Sequence, residues 1–158
     1  MSRLIVSVGG FMLRSILAFV LLALPLAAQA GGLLLNDIKA QNGVQLSADE
    51  LKQLMPNAKV TSYYWEGGKS TRYWTNEPDG KFVASSDTGR DFSKLGRGRA
   101  TAQGTWHVAD NGTYCVTIDW SLRSENWCRY IFKVGDKYYG VKTVTDGATI
   151  AHEFKFSK

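Results

Sequence analysis

The sequence predicts a mainly β protein: an eight-stranded antiparallel meander, closed into a small barrel or left as a strongly curved sheet, with one short N-terminal helix. Three observations predict it. After Pro56, pairs of turn-forming residues recur at nearly even spacing: Gly67-Gly68, Asp79-Gly80, Asn111-Gly112, Gly135-Asp136 and Asp146-Gly147. The runs between them are rich in Val, Ile, Thr, Tyr, Phe and Trp, which suit a pleated, half-buried surface. Several of those runs alternate apolar and polar residues with the period of two that a strand requires.

The elements follow in chain order. Residues 1–30 carry Arg3 and Arg14 and no acidic residue, then an apolar run from Ile16 to Leu26, then Ala28-Gln29-Ala30. A charged start, a short apolar stretch and small residues at an A-x-A site are the parts of a cleavable signal peptide. A spanning helix needs about 20 uninterrupted apolar residues, and Arg14 divides this stretch too early. The reading is export by the general secretory route, cleavage after Ala30, and a single domain over 31–158 that is periplasmic or secreted. No cysteine lies near the cleavage site, so processing leaves no membrane anchor.

The leader holds two of the 19 basic residues and none of the 14 acidic ones, so the net charge of +5 falls to +3 on cleavage. That mild charge does not point to a nucleic-acid partner. Residues 31–44 show little periodicity, with Leu33-Leu34-Leu35 an apolar plug and Asn42-Gly43 a turn. Then Ser47 and Glu50 form a capping box, Leu46 can staple against Leu51, and Leu51, Leu54 and Met55 share one helical face before Pro56 ends it.

Strands are expected near 59–66, 69–75, 81–86, 98–108, 113–120, 126–134, 137–144 and 149–157. Tyr114, Val116, Ile118 and Trp120 alternate with Cys115, Thr117 and Asp119; Ile150, His152, Phe154 and Phe156 alternate with Ala151, Glu153 and Lys155. Cys115 and Cys128 lie in the exported part, where an oxidising compartment favours a disulfide. If they face each other across an antiparallel pair, Val116 stands opposite Trp127 and the turn centres on Ser121-Leu122. A one-residue slip would send every side chain to the wrong face.

No catalytic motif survives inspection. Gly68-Lys69-Ser70 has the tail of a phosphate-binding loop, but the position five residues before Gly68 is Tyr63 and a strand follows instead of a helix. His107 and His152 have no partner at metal-ligand spacing, so no metal or cofactor is expected. Disulfide pairing removes both thiols. Carboxylates such as Glu66, Asp119 and Glu125 are the remaining acid–base candidates. Aromatics are the strongest compositional signal, with all five Trp in the exported part. Trp74, Trp106, Trp120, Trp127 and Tyr130 are therefore candidate ligand-binding residues, with Trp65 also available. Arg97 and Arg99 join them from the basic segment that starts at Arg90, because Arg beside Trp suits sugar rings, aromatic ligands or phosphorylated headgroups.

From Leu46 onward the chain resembles a family of small exported Gram-negative proteins known as a domain of unknown function. The resemblance runs through Leu46-Ser47-Ala48-Asp49-Glu50-Leu51, Tyr73-Trp74, Asp79-Gly80, Gly104-Thr105-Trp106-His107-Val108, Asn111-Gly112, Cys115, Trp120, Cys128 and Gly135-Asp136-Lys137-Tyr138. It implies a periplasmic β domain with a paired-cysteine hairpin, and supplies no activity or cofactor. The function expected is a non-catalytic module binding a small ligand or envelope component at a barrel mouth or groove. The alternative is an interaction protein, such as an inhibitor or an envelope-assembly accessory that binds an envelope protein. A hydrolase comes third.

Overall fold

The computed structural model describes residues 32–64, 70–87 and 100–158. The leader, Trp65, Glu66, Gly67-Gly68, Lys69 and the segment with Arg90, Lys94, Arg97 and Arg99 lie outside the described residues. The chain begins with α1 (Leu35–Ala40), β1 (Val44–Gln45) and α2 (Ala48–Leu54). Eight longer strands follow: β2 (Lys59–Tyr64), β3 (Ser70–Thr75), β4 (Lys81–Ser86), β5 (Ala100–Val108), β6 (Tyr114–Asp119), β7 (Ser124–Val134), β8 (Lys137–Val141) and β9 (His152–Ser157). Each pairs antiparallel with the next, and β9 returns to pair with β2. The meander is a closed eight-stranded barrel, with β1 added outside against β7. Closure removes the exposed edges that an open curved sheet would carry.

The turns at Asp79-Gly80, Asn111-Gly112 and Gly135-Asp136 hold the expected residues. Gly80, Gly112 and Gly135 have φ of 82°, 77° and 56°, values at which any Cβ would be strained. Cys115 pairs with Cys128 and Val116 with Trp127, so the predicted hairpin register holds. The Trp120 N–H donates to the Arg123 carbonyl across the turn at Ser121-Leu122. The two cysteines form a disulfide.

Register decides what faces inward. Val60, Trp74, Phe82, Ala84, Val116, Ile118, Ile131 and Phe154 form the main core inside the barrel. Gly104 sits opposite Phe82, and a Cβ there would lie 2.1–2.8 Å from the Phe82 ring, so a buried aromatic fits only because position 104 has no side chain. Helix α2 plugs one end. Ser47 and Glu50 form the capping box, with the Ser47 N–H donating to Glu50 Oε2 at 2.7 Å, and Leu51 and Met55 enter the same core fully buried. The Ser47 backbone hydrogen bond holds the Glu50 carboxyl below its usual range. At this end Asn76, fully buried, accepts from Trp74 Nε1 and from the Tyr114 hydroxyl, both at 2.9 Å, and donates to the Met55 carbonyl at 3.2 Å.

A second helix stands where residues 31–44 were expected to be irregular. Helix α1 is only six residues long, too short to display a period, and isolated it would not persist. Its stability comes from packing: Leu35 and Ile38 are fully buried against Phe132, Val141 and Ala151 on the outside of the barrel. Two such side chains contribute roughly 1.5–3 kcal/mol each. Strand β7 therefore buries both faces, Trp127 and Ile131 inward, Tyr130 and Phe132 outward.

Candidate functional site

The end of the barrel away from α2 contains a cavity of about 360 Å³, lined by Ser62, Arg72, Glu125, Trp127, Arg129, His152 and Phe154, with Arg123, Ser124 and Asn126 at its rim. Strand pairing explains the opening. The β7–β8 ladder ends where Tyr130 faces Val141, and the β8–β9 ladder ends where Gly140 faces His152. Strand β7 runs on to Ser124, so its first six residues are paired only with β6. Among the described residues the wall is thus incomplete beside Ser124–Arg129, and Glu125, Trp127 and Arg129 are only partly buried there. Gly140 contributes room, because a Cβ would meet the Phe154 ring at 2.6 Å and the Arg129 Cβ at 3.2 Å.

The polar side of the cavity is built around one carboxylate. Glu125 Oε2 accepts from Arg72 Nη1 in a part-buried ion pair. Its Oε1 accepts from Trp120 Nε1 at 3.0 Å and from Arg123 Nη2 at 3.2 Å. Arg72 is buried and Arg123 half exposed, so the first pair is shielded from water and the second is screened. With donors on both oxygens, Glu125 serves as a counter-ion that fixes guanidinium geometry.

The aromatic side is one continuous column. Trp127 lies 6.0 Å from Tyr114, edge to face, and 5.9 Å from Phe154; Phe154 stacks on Phe156 at 5.7 Å. The Arg129 guanidinium sits 5.8 Å from the Trp127 ring centre, within reach of a cation–π interaction. Such rings are held by neighbours on several sides, so the cavity wall is preformed.

The sequence candidates separate accordingly. Trp127 lines the cavity, and Trp120 supports it through Glu125. Trp74 stacks on Phe82 at 5.4 Å in the core. The Trp106 indole donates to the Glu77 carbonyl at 2.9 Å, away from the opening. Tyr130 packs outside the barrel with the α1 cluster. Arg97 and Arg99 lie outside the described residues. His152 faces the cavity, while His107 stands opposite Cys115 on the outer face. Arg72, Arg123 and Arg129 were not singled out from sequence. The signal was there for Arg72 and Arg129: each occupies an inward position in the alternation, where a charged residue needs a reason.

Comparison with known proteins adds a family. A family model described as "Protein of unknown function (DUF995)" matches residues 24–128, more than half of the chain. The chain belongs to DUF995. The matched stretch takes in α1 and α2, strands β1 to β6, and β7 as far as Cys128. It includes both cysteines and every cavity residue before Arg129, while β8 and β9, which close the barrel, lie beyond it. No curated protein and no solved structure matches the chain. The disulfide of this DUF995 protein fits a compartment outside the reducing cytoplasm. Among the described residues no helix is long and apolar enough to cross a membrane, and no group of His, Cys, Asp and Glu could hold a metal ion.

Proposed function

We propose that this DUF995 protein is an exported, non-catalytic module that binds a small ligand in the mouth of its barrel. The observation that carries this reading is the cavity itself. The barrel is plugged by α2 at one end; among the described residues the cavity opens at the other, lined by convergent polar and charged side chains beside the rings of Trp127 and Phe154. The cavity volume is near the lower bound for a small-molecule site. Export rests on the leader's composition and is supported by the disulfide.

Binding is favoured over hydrolysis by the state of Glu125. It shares the cavity with His152, the one imidazole–carboxylate combination there among the described residues, but its oxygens accept from Arg72, Trp120 and Arg123. A carboxylate so engaged holds cations in place and is poorly placed to accept a substrate proton.

The test is a ligand search read at the site. The protein recovered from cells begins at Gly31 by N-terminal sequencing. Small-molecule fractions of an envelope extract shift the His152 imidazole NMR signals, assigned with a His107→Gln variant, and raise the unfolding temperature. No response of His152 to any fraction overturns the binding reading, and a retained leader overturns export.

A further inference from the structure

The geometry points to a small organic anion as the ligand: a carboxylate or phosphate group attached to a ring or similarly flat apolar part. This rests on the reading of the barrel as a binding module and specifies what it binds. Charge is the first ground. Among the described residues the cavity presents three guanidiniums, Arg72, Arg123 and Arg129, against a single carboxylate, Glu125. Among these described residues cations outnumber the carboxylate, and in a space walled by protein an anion is held more strongly than in open water.

Donor geometry is the second ground. A guanidinium carries five N–H donors in a planar fork, and Arg72 places such a fork on the cavity wall, where one arm holds Glu125. Ser62 and His152, both buried, add a hydroxyl and an imidazole on the same wall. Carboxylate and phosphate oxygens match such a fork in pairs, which is why arginine dominates their recognition.

The third ground is what lies beside these donors. Trp127 and Phe154 form a rigid apolar wall, and Arg129 approaches the Trp127 ring. A bare inorganic ion would leave that wall unused. A ligand with an anionic head and a ring would place its head among Arg72, Arg129 and His152 and its ring along Trp127 and Phe154. The cavity volume suits one small molecule.

The experiment is calorimetric titration of the disulfide-bonded protein with four probes that share a phenyl ring: phenylacetate, phenyl phosphate, 2-phenylethanol and 2-phenylethylamine. His152 NMR shifts locate each in the cavity. At least one anion binds about ten-fold or more tighter than the alcohol, the scale of one charge-assisted contact, and the amine binds weakest. Arg129→Gln weakens the anion about ten-fold and leaves the alcohol nearly unchanged, while Arg129→Lys retains part of the preference; circular dichroism checks that both variants fold. The better of the two anions tells carboxylate from phosphate. Equal binding of anion and alcohol at His152 overturns the anion assignment and leaves the binding module standing. No binding by any probe at millimolar concentration overturns the assignment too, and the extract screen then decides the module reading separately.

Discussion

Removing Asn76 should destabilise the protein far more than removing the hydroxyl of Tyr114, although the two groups share a hydrogen bond. Asn76 Oδ1 accepts from Trp74 Nε1 and from the Tyr114 hydroxyl, both at 2.9 Å, and the Tyr114 oxygen itself accepts from Trp74 Nε1 at 3.1 Å. In Asn76→Ala the Trp74 N–H keeps its bond to Tyr114. The Met55 carbonyl keeps the Ala58 N–H. The Tyr114 O–H, however, loses its acceptor in a fully buried site. One orphaned buried donor costs about 1–3 kcal/mol, and the lost Asn76 bonds add about 1 kcal/mol more, so the expected loss is about 2–4 kcal/mol. In Tyr114→Phe no group is orphaned, because Trp74 still reaches Asn76, and the loss should be about 1 kcal/mol. Urea unfolding followed by Trp fluorescence measures both, with equal slopes confirming that the unfolded reference is unchanged. A Tyr114→Phe cost equal to or above that of Asn76→Ala refutes the reasoning.

Three further outcomes are expected. Gly104→Ala should cost about 1–3 kcal/mol through overpacking, since its Cβ would enter the Phe82 ring space; Phe82→Leu in the same chain should recover part of that in chemical denaturation, and a neutral Gly104→Ala would show that the ring moves freely. Replacing both Cys115 and Cys128 by Ala should cost about 3 kcal/mol for the loop the bridge closes, read as a fall in urea midpoint that reductant reproduces in the parent protein. Burial holds the Tyr114 phenol well above its ordinary 10.0. Its share of stability is therefore complete below that value and is lost as pH rises beyond it, because the unfolded phenol ionises first. Tyr114→Phe should flatten the alkaline decline, and in the parent one tyrosine should show no phenolate absorbance until the chain unfolds. An unchanged slope sinks this account.

Local chemistry was legible in the sequence wherever a few neighbouring residues decide the outcome. Asp79-Gly80, Asn111-Gly112 and Gly135-Asp136 announced hairpins because few other residues tolerate their backbone angles. Ser47 and Glu50 announced α2 because a capping box is complete within four residues. The alternation of 114–120 announced which side chains enter the core. Helix α1 was illegible for the opposite reason, since its two buried residues acquire meaning only against Phe132 and Val141, nearly a hundred positions away.

The site was legible in part. Trp127 stood among the candidates, as did Trp74, Trp106 and Tyr130, and composition alone treats these four alike. What separates them is strand position. Trp127 stands on the stretch of β7 that β8 does not reach, Trp74 and Trp106 lie deeper or away from the opening, and Tyr130 is on the outer face under α1. Arg72, Arg129 and Glu125 become a constellation only when β3 and β7 face one another across the barrel.

By itself, then, the sequence determined a β meander, its turns, one helix and the hairpin register that Cys115 and Cys128 confirm. These follow from backbone angles, period-two alternation and pairing between neighbours in the chain. Only the tertiary structure decided that β9 returns to β2 and closes a barrel, that β8 stops short of the start of β7, and that three arginines and one glutamate meet beside Trp127. Those outcomes depend on contacts between residues far apart in sequence. No local pattern encodes such contacts, because their free energy appears only when the whole sheet has curled round.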